Sequence, residues 1–219
     1  MSMMPLVINR KKSSLKILCL GSHCDDIEIG CGGTLLKLIQ SRHGNVMVRW
    51  VVFSSTPERE KEAQRSAQAF LKRAKQKSVV IQHFEDSFFP YNGSEIKRFM
   101  QELSSVFSPD IIFTHYTNDL HQDHRLVAEL TWNAFRDHWI LEYEIPKYDG
   151  DLGRPNLFVP LKETTCRYKI DHVLRYFESQ RRKQWFTKDT FLSLQRLRGI
   201  ECNSVSGYAE AFYCRKMVF

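Results

Sequence analysis

Short apolar segments alternate with amphipathic segments over residues 16–137, and this alternation constrains the fold more than any other feature. Four apolar runs have the length and composition of buried strands: 16–21, 45–53, 78–82 and 110–114. Segments with helical spacing of apolar residues follow them: one spans residues 57–75, and the others begin near Gly32, Glu95 and Asp123. Alternating strands and helices predict a Rossmann-like α/β fold, with a mostly parallel sheet and helices on both faces.

The second half of the chain has a less regular pattern. Strands are predicted at 139–145 and 156–161, helices at 171–180 and 188–198, and a last strand within 208–219. The chain has no internal repeat, low-complexity segment or linker, and its 219 residues suffice for one sizeable core. We therefore predict a single domain over residues 15–219, preceded by a flexible leader of residues 1–14.

Charge and cysteine content narrow the class of protein. The formal net charge is +7, but the basic residues are dispersed in a way that is typical of solvated helix faces, so we expect no nucleic-acid partner. No run approaches the roughly 18 apolar residues of a membrane span, and no secretory signal is recognisable. Six cysteines without a CxxC pair predict reduced thiols and a cytoplasmic location. Trp185 and Phe186 could form a subunit contact or pack in the core, which leaves a homo-oligomer open.

Two predicted loops are rich in side chains that bind metals. In parallel sheets the functional site lies beyond the carboxyl ends of the strands, where the strand order reverses. The segment SHCDD, residues 22–26, follows the first strand, and NDLHQDH, residues 118–124, follows the fourth. Imidazole and carboxylate groups together suit a divalent ion such as zinc, with a coordination position left open for water. Asp25 and Asp26 alone could simply cap the next helix, but the joint placement of the two loops favours a metal site.

The same two segments resemble the signatures of a known family. The stretch GSHCDDIEIGCGGTL, residues 21–35, resembles the AHPDDxExGCGGTL signature of the LmbE/PIG-L zinc-dependent N-deacetylases, and NDLHQDHR, residues 118–125, resembles their NDxHPDHR signature. Shorter segments are similar to the family's RxxEA, SQ and YAEAF segments: 59–63, 179–180 and 208–212. The resemblance extends over about residues 16–215.

The resemblance implies roles for individual residues by matching position. His23, Asp26 and His124 correspond to the zinc ligands, which could also hold another first-row divalent ion such as Fe²⁺. Asp25 corresponds to the general base. His121 corresponds to the general acid or to a group that stabilises the oxyanion.

Two further residues have implied roles, and three positions depart from the signatures. Asp123 is expected to orient one of the histidines, and Arg59 to lie near the substrate unless it is a solvated helix charge. Cys24 and Gln122 replace prolines of the family pattern, and Ser22 replaces an alanine. None of the replaced residues is a family ligand, so the implied metal site is unchanged.

The resemblance implies a hydrolase that removes an N-acetyl group from an amino sugar of the N-acetylglucosamine type. The sugar could be linked to a phosphate or a nucleotide, or be part of a glycoconjugate or natural product. Two alternatives stay open: the same ligands could hydrolyse an ester or phosphoester, and a basic, metal-stabilised module could bind without catalysis. Glycines 30, 32 and 33 either let an anionic ligand approach a helix N-terminus or form a tight packing turn.

Overall fold

Seven strands form one sheet in the computed structural model, which describes residues 14–218. The strands are β1 (Leu15–Gly21), β2 (Val46–Val52), β3 (Gln76–Ile81), β4 (Ile111–His115), β5 (Trp139–Tyr143), β6 (Leu157–Pro160) and β7 (Ala209–Tyr213). Their order is β3-β2-β1-β4-β5-β7-β6; the first five run parallel, and β7 pairs antiparallel with both β5 and β6. The predicted Rossmann-like, mostly parallel sheet is confirmed. The predicted leader, apart from Ser14, lies outside the described residues.

Within residues 14–218, six α-helices cover both faces of the sheet. They are α1 (Asp26–Ser41), α2 (Pro57–Phe70), α3 (Gly93–Val106), α4 (Gln122–Ala134), α5 (Glu163–Tyr176) and α6 (Lys188–Glu201). Helices α1, α2, α5 and α6 share one apolar core with one face of the sheet, and α3 and α4 share a second core with the other face. The two cores arise because successive side chains of a strand point to opposite faces of the sheet. In β1, Ile17 and Cys19 point into the first core, and Leu18 and Leu20 point into the second. None of the helices of residues 14–218 is long and apolar enough to cross a membrane.

Helix α1 begins six residues earlier than the predicted start at Gly32. The glycines lie inside the helix because other elements approach its backbone closely: a Cβ at Gly30 would lie 2.1 Å from the Tyr143 ring, and one at Gly33 would lie 2.4 Å from Leu161. Glycine normally weakens a helix, so the pattern alone favoured a later start. These contacts support the packing interpretation of the glycines.

Two other helix predictions were wrong in extent. Helix α2 ends at Phe70, not Lys75, because residues 71–75 form a turn that leads directly into β3. Helix α5 spans Glu163–Tyr176, whereas the pattern predicted 171–180. Its first half was missed because Lys169 occupies a buried position, where an apolar residue is the usual sign of a helix facing the core.

A buried ion pair joins Lys169 of α5 to Glu210 of the YAEAF segment. The Glu210 carboxylate, on β7, accepts hydrogen bonds from the backbone N–H groups of Gly33 (2.8 Å) and Thr34 (2.6 Å) and from Lys169 Nζ (2.6 Å). Lys169 also donates to the Ile29 carbonyl at 2.6 Å. The pair therefore ties α1 to β7 and α5.

The strand order reverses between β1 and β4, which lie side by side with Ile17 opposite Ile111. Parallel neighbours end at the same edge of the sheet, so the loops after these two strands meet there. One loop runs from Ser22 to Asp25 and the other from Tyr116 to His121. These are the two loops in which the sequence predicts the chemistry.

Candidate metal centre

Three potential ligand atoms converge where the two loops meet. His23 Nδ1 lies 3.2 Å from His124 Nε2 and 3.4 Å from Asp26 Oδ2, and the last two atoms are 3.6 Å apart. We call these three atoms the ligand triangle. A tetrahedral zinc ion with bonds of about 2.1 Å separates its ligand atoms by about 3.4 Å. The spacing and the nitrogen and oxygen donors therefore fit a single zinc-sized ion.

Local backbone structure places the three residues of the ligand triangle. His23 lies in the loop after β1, and its backbone N–H donates to Asp26 Oδ2 at 2.6 Å. Asp26 is the first residue of α1, so this bond fixes the turn from strand to helix. His124 lies in the first turn of α4, after β4. All three residues are buried, which limits competition from bulk water.

A carboxylate faces the outer nitrogen of each ligand histidine. His23 Nε2 lies 3.0 Å from Asp86 Oδ1, and His124 Nδ1 lies 2.9 Å from Asp119 Oδ2. A proton on each outer nitrogen leaves the lone pair of the inner nitrogen directed into the ligand triangle. Asp119 could have been suspected from its place in NDLHQDH, but no signal in the sequence singles out Asp86.

Asp123, which we expected to orient a histidine, mainly holds the loop after β3. Its carboxylate accepts the backbone N–H groups of Ser87 (2.7 Å) and Phe89 (3.2 Å), and its Oδ2 lies 3.5 Å from His23 Nε2. The same loop carries Asp86. Asp123 thus acts on His23 at longer range than Asp86 does, and its predicted orienting role stays a prediction.

In the part of the chain that the structure describes, potential ligands also form three other groups, and the donor atoms within each group lie within 4.8 Å of one another. The groups are His23, His121 and His124; His23, Asp86, His121 and Asp123; and Asp26, His115 and His124. His115, the last residue of β4, was not singled out by the sequence. Its Nε2 accepts the backbone N–H of Ser22 at 2.9 Å, so that lone pair is already used. In the second group, His23 presents the nitrogen that faces Asp86. These contacts favour the ligand triangle over the second and third groups.

Opposing effects set the charges in the triangle. Burial alone would raise the pKa of Asp26, but the surrounding histidines, His124, His115 and His23, hold it well below its usual range. Burial and the neighbouring His115 lower the pKa of His124 to about 3. Burial would also lower the pKa of His23, but Asp26 and the carboxylates near its outer nitrogen raise it above its usual value. Asp26 is thus anionic and His124 neutral, as metal ligands must be.

Asp25 stands next to the triangle as a buried carboxylate paired with Arg59. It occupies the N-cap position of α1, but its side chain makes no capping hydrogen bond, so the simple capping explanation does not apply. Its Oδ1 accepts from Arg59 Nη2 at 2.7 Å. Burial raises the pKa of Asp25 despite the opposing effect of Arg59. The Arg59 side chain is only 15% exposed, which argues against a solvated helix charge.

His121 lies beside both ligand histidines. Its ring centroid is 4.9 Å from that of His23 and 4.6 Å from that of His124. Nδ1 accepts the backbone N–H of Asp123 at 3.3 Å, so the neutral ring carries its proton on Nε2. Burial, reinforced by His23, lowers the pKa of His121. The neutral ring can therefore donate a hydrogen bond from Nε2.

Cys24 points away from the triangle. Its Sγ lies 3.5 Å from the Ser54 carbonyl oxygen and 3.5 Å from Ser55 Oγ. Burial raises the pKa of this thiol to about 11, so it stays protonated near neutral pH. A thiol held in this way does not compete as a ligand.

Comparisons with known proteins give one family match and several similar folds. The family model described as PIG-L, GlcNAc-PI de-N-acetylase, matches residues 18–135, more than half of the chain. The conserved protein TT1542 from Thermus thermophilus is 20% identical, with a TM-score of 0.73 over 94% of this chain and 96% of that one. The N,N'-diacetylchitobiose deacetylase from Pyrococcus horikoshii is 18% identical, with a TM-score of 0.65 over 90% of this chain and 82% of that one.

One similar structure has a different activity. The 4-carboxy-2-hydroxymuconate hydratase from Pseudomonas putida is 14% identical, with a TM-score of 0.68 over 94% of this chain and 98% of that one. Likeness at this level of identity shows the fold alone. The reaction must be argued from the family match and from the site.

Proposed function

The chain belongs to the PIG-L family of de-N-acetylases, and from this premise we propose that it is a zinc-dependent hydrolase that removes the acetyl group from the nitrogen of an amino sugar. The observation that carries the proposal is the ligand triangle with the buried carboxylate of Asp25 beside it. Three protein ligands and an open coordination position are typical of catalytic zinc sites, whereas structural sites use four.

His23, Asp26 and His124 would hold the ion. When bound, it would polarise the acetamide carbonyl and make a coordinated water more acidic. Asp25 accepts the proton of the attacking water. Its raised pKa makes it a better base than an exposed carboxylate, and the contact with Arg59 fixes the orientation of its oxygens.

His121 is suited to stabilise the negative charge that develops on the carbonyl oxygen. Its neutral ring donates from Nε2, and a donor placed before the reaction needs no reorganisation during it. The amine nitrogen must gain a proton before it leaves. Asp25, protonated by the first step, can return that proton. The lowered pKa of His121 leaves its ring neutral, which supports the oxyanion-stabilising role of this residue over the general-acid role.

The ester and phosphoester alternatives differ from the proposal in the bond that breaks. The experiment combines metal analysis of the full chain with product assays on N-acetyl amino sugars in free, phosphate-linked and nucleotide-linked forms. The O-acetyl ester of each sugar serves as its matched control. We expect one zinc per chain and acetate release from at least one N-acetyl sugar. Acetate release from the esters alone would overturn the proposal in favour of an esterase. Phosphate release would overturn it in favour of a phosphoesterase. The cytoplasmic location and the oligomeric state stay predictions.

A further inference from the structure

We propose that Lys147 is a positioning residue, which holds the Asp119 carboxylate against His124 and against the backbone of His121. Lys147 lies in the loop between β5 and β6, outside every segment that resembles a family signature. The inference rests on the metal centre proposed above, because positioning has meaning only if His124 binds the ion.

The Lys147 ammonium lies at the centre of a cluster of carboxylates. Nζ contacts Asp119 Oδ1 at 3.0 Å and Asp149 Oδ2 at 3.8 Å, and it also donates to Asp151 Oδ2. The Lys147 side chain is only 7% exposed, as is that of Asp151, and that of Asp119 is 3% exposed. Ion pairs shielded from water to this degree hold their geometry more firmly than surface pairs do.

Asp119 passes this restraint to the site through both of its oxygens. Oδ1, the atom that contacts Lys147, also accepts the backbone N–H of His121 at 2.7 Å. Oδ2 accepts from His124 Nδ1 at 2.9 Å. The Asp119 carboxylate thus contacts Lys147, the ring of His124 and the backbone of His121.

Asp151 forms a second connection between the loop after β4 and the β5–β6 loop. Its Oδ2 accepts the backbone N–H of Leu120 at 2.7 Å in addition to the Lys147 ammonium. Asp119 and Leu120 are therefore bound to the β5–β6 loop at consecutive positions. Without Lys147, the buried Asp119 carboxylate would lose the cation that contacts its Oδ1 and would keep a neutral ring at its Oδ2. Its geometry against His124 would loosen.

The test compares Lys147→Met with Lys147→Arg, which keeps the charge. The matched control is Lys37→Met, because Lys37 donates to the Pro160 carbonyl and touches no part of the site. For each full-length variant, zinc dissociation is measured by chelator competition, together with kcat, KM and Tm. We expect Lys147→Met to bind zinc about tenfold more weakly and to lose kcat more than KM changes, because loosened partners of metal ligands typically cost 10- to 100-fold. Lys147→Arg should stay within about threefold of the wild type, and Lys37→Met should match it.

A double-mutant cycle separates positioning from general stability. If Lys147 acts through Asp119, the effects of Lys147→Met and Asp119→Asn on zinc binding should be strongly non-additive. Zinc affinity and kcat within about twofold of the wild type in Lys147→Met would overturn the inference, even if Tm fell. If that variant does not fold, Lys147→Gln is measured against the same criteria. Wild-type protein that binds no zinc would instead count against the proposed function.

Discussion

Gly30→Ala tests whether the glycines of the first signature are there for packing. A Cβ at Gly30 would lie 2.1, 2.4 and 2.7 Å from three atoms of the Tyr143 ring, where ordinary contacts begin near 3.4 Å. The ring cannot easily move aside, because it is fully buried and its hydroxyl donates to the Leu20 carbonyl at 2.6 Å. Helix α1 must therefore shift away from β5.

The expected loss of stability follows from two opposing terms. Overpacking a buried site costs about 1–3 kcal/mol, and an overlap of more than an ångström against a fixed ring belongs at the upper end or above it. Alanine in place of a helical glycine returns about 0.5–1 kcal/mol. The free energy of unfolding should fall by about 2–3 kcal/mol, which lowers Tm by about 5–10 °C in a chain of this size.

Thermal unfolding of the zinc-free protein measures this effect, and Gly93→Ala is the matched control. Gly93 has helical backbone angles, and its nearest neighbours, atoms of Leu126, lie 3.9 Å from the position of a Cβ. That variant should match the wild type or gain about 0.4–1 kcal/mol. In a Tyr143→Leu background the penalty of Gly30→Ala should shrink. A Gly30→Ala protein as stable as the wild type would refute the packing argument.

The remaining predictions concern the base, a ligand and a buried acid. Asp25→Asn should lose turnover by at least about 100-fold and keep its zinc, whereas His124→Ala should lose both turnover and zinc. Assays of turnover and zinc content distinguish the two variants. An active Asp25→Asn protein would contradict the assignment of the base. Burial raises the pKa of Glu28 from 4.5 to about 8, so the folded state holds a proton that the unfolded state releases at lower pH. The free energy of unfolding should therefore fall as pH rises from about 4.5 to about 8. Denaturant titrations should show this decline diminished in Glu28→Gln, and an identical pH dependence in both proteins would contradict it.

Much of the fold was readable from the sequence because buried strands and amphipathic helices have clear apolar patterns. The runs that became β1 and β4 each end at a loop with histidines and carboxylates, and the sheet rule then places those loops together. The limits of α1 and α5 were misjudged where residues break the usual pattern. Glycines within α1 serve close packing, and Lys169 is buried because Glu210 neutralises it.

The parts of the site that the sequence did not reveal act through contacts between distant segments. Asp86 meets His23 across 63 residues, and Lys147 meets Asp119 across 28. Single aspartates and lysines in loops are common, so composition and spacing give them no special weight. His115 was missed for a different reason, because it is the last residue of a buried strand and precedes the recognisable segment.

A zinc-edge anomalous difference map from crystals of the full chain tests the central claim most directly. The account predicts a single strong peak, about 2.0–2.2 Å from His23 Nδ1, Asp26 Oδ2 and His124 Nε2. A peak bound instead by Asp86 and His121, or no peak within the ligand triangle at saturating zinc, would contradict it.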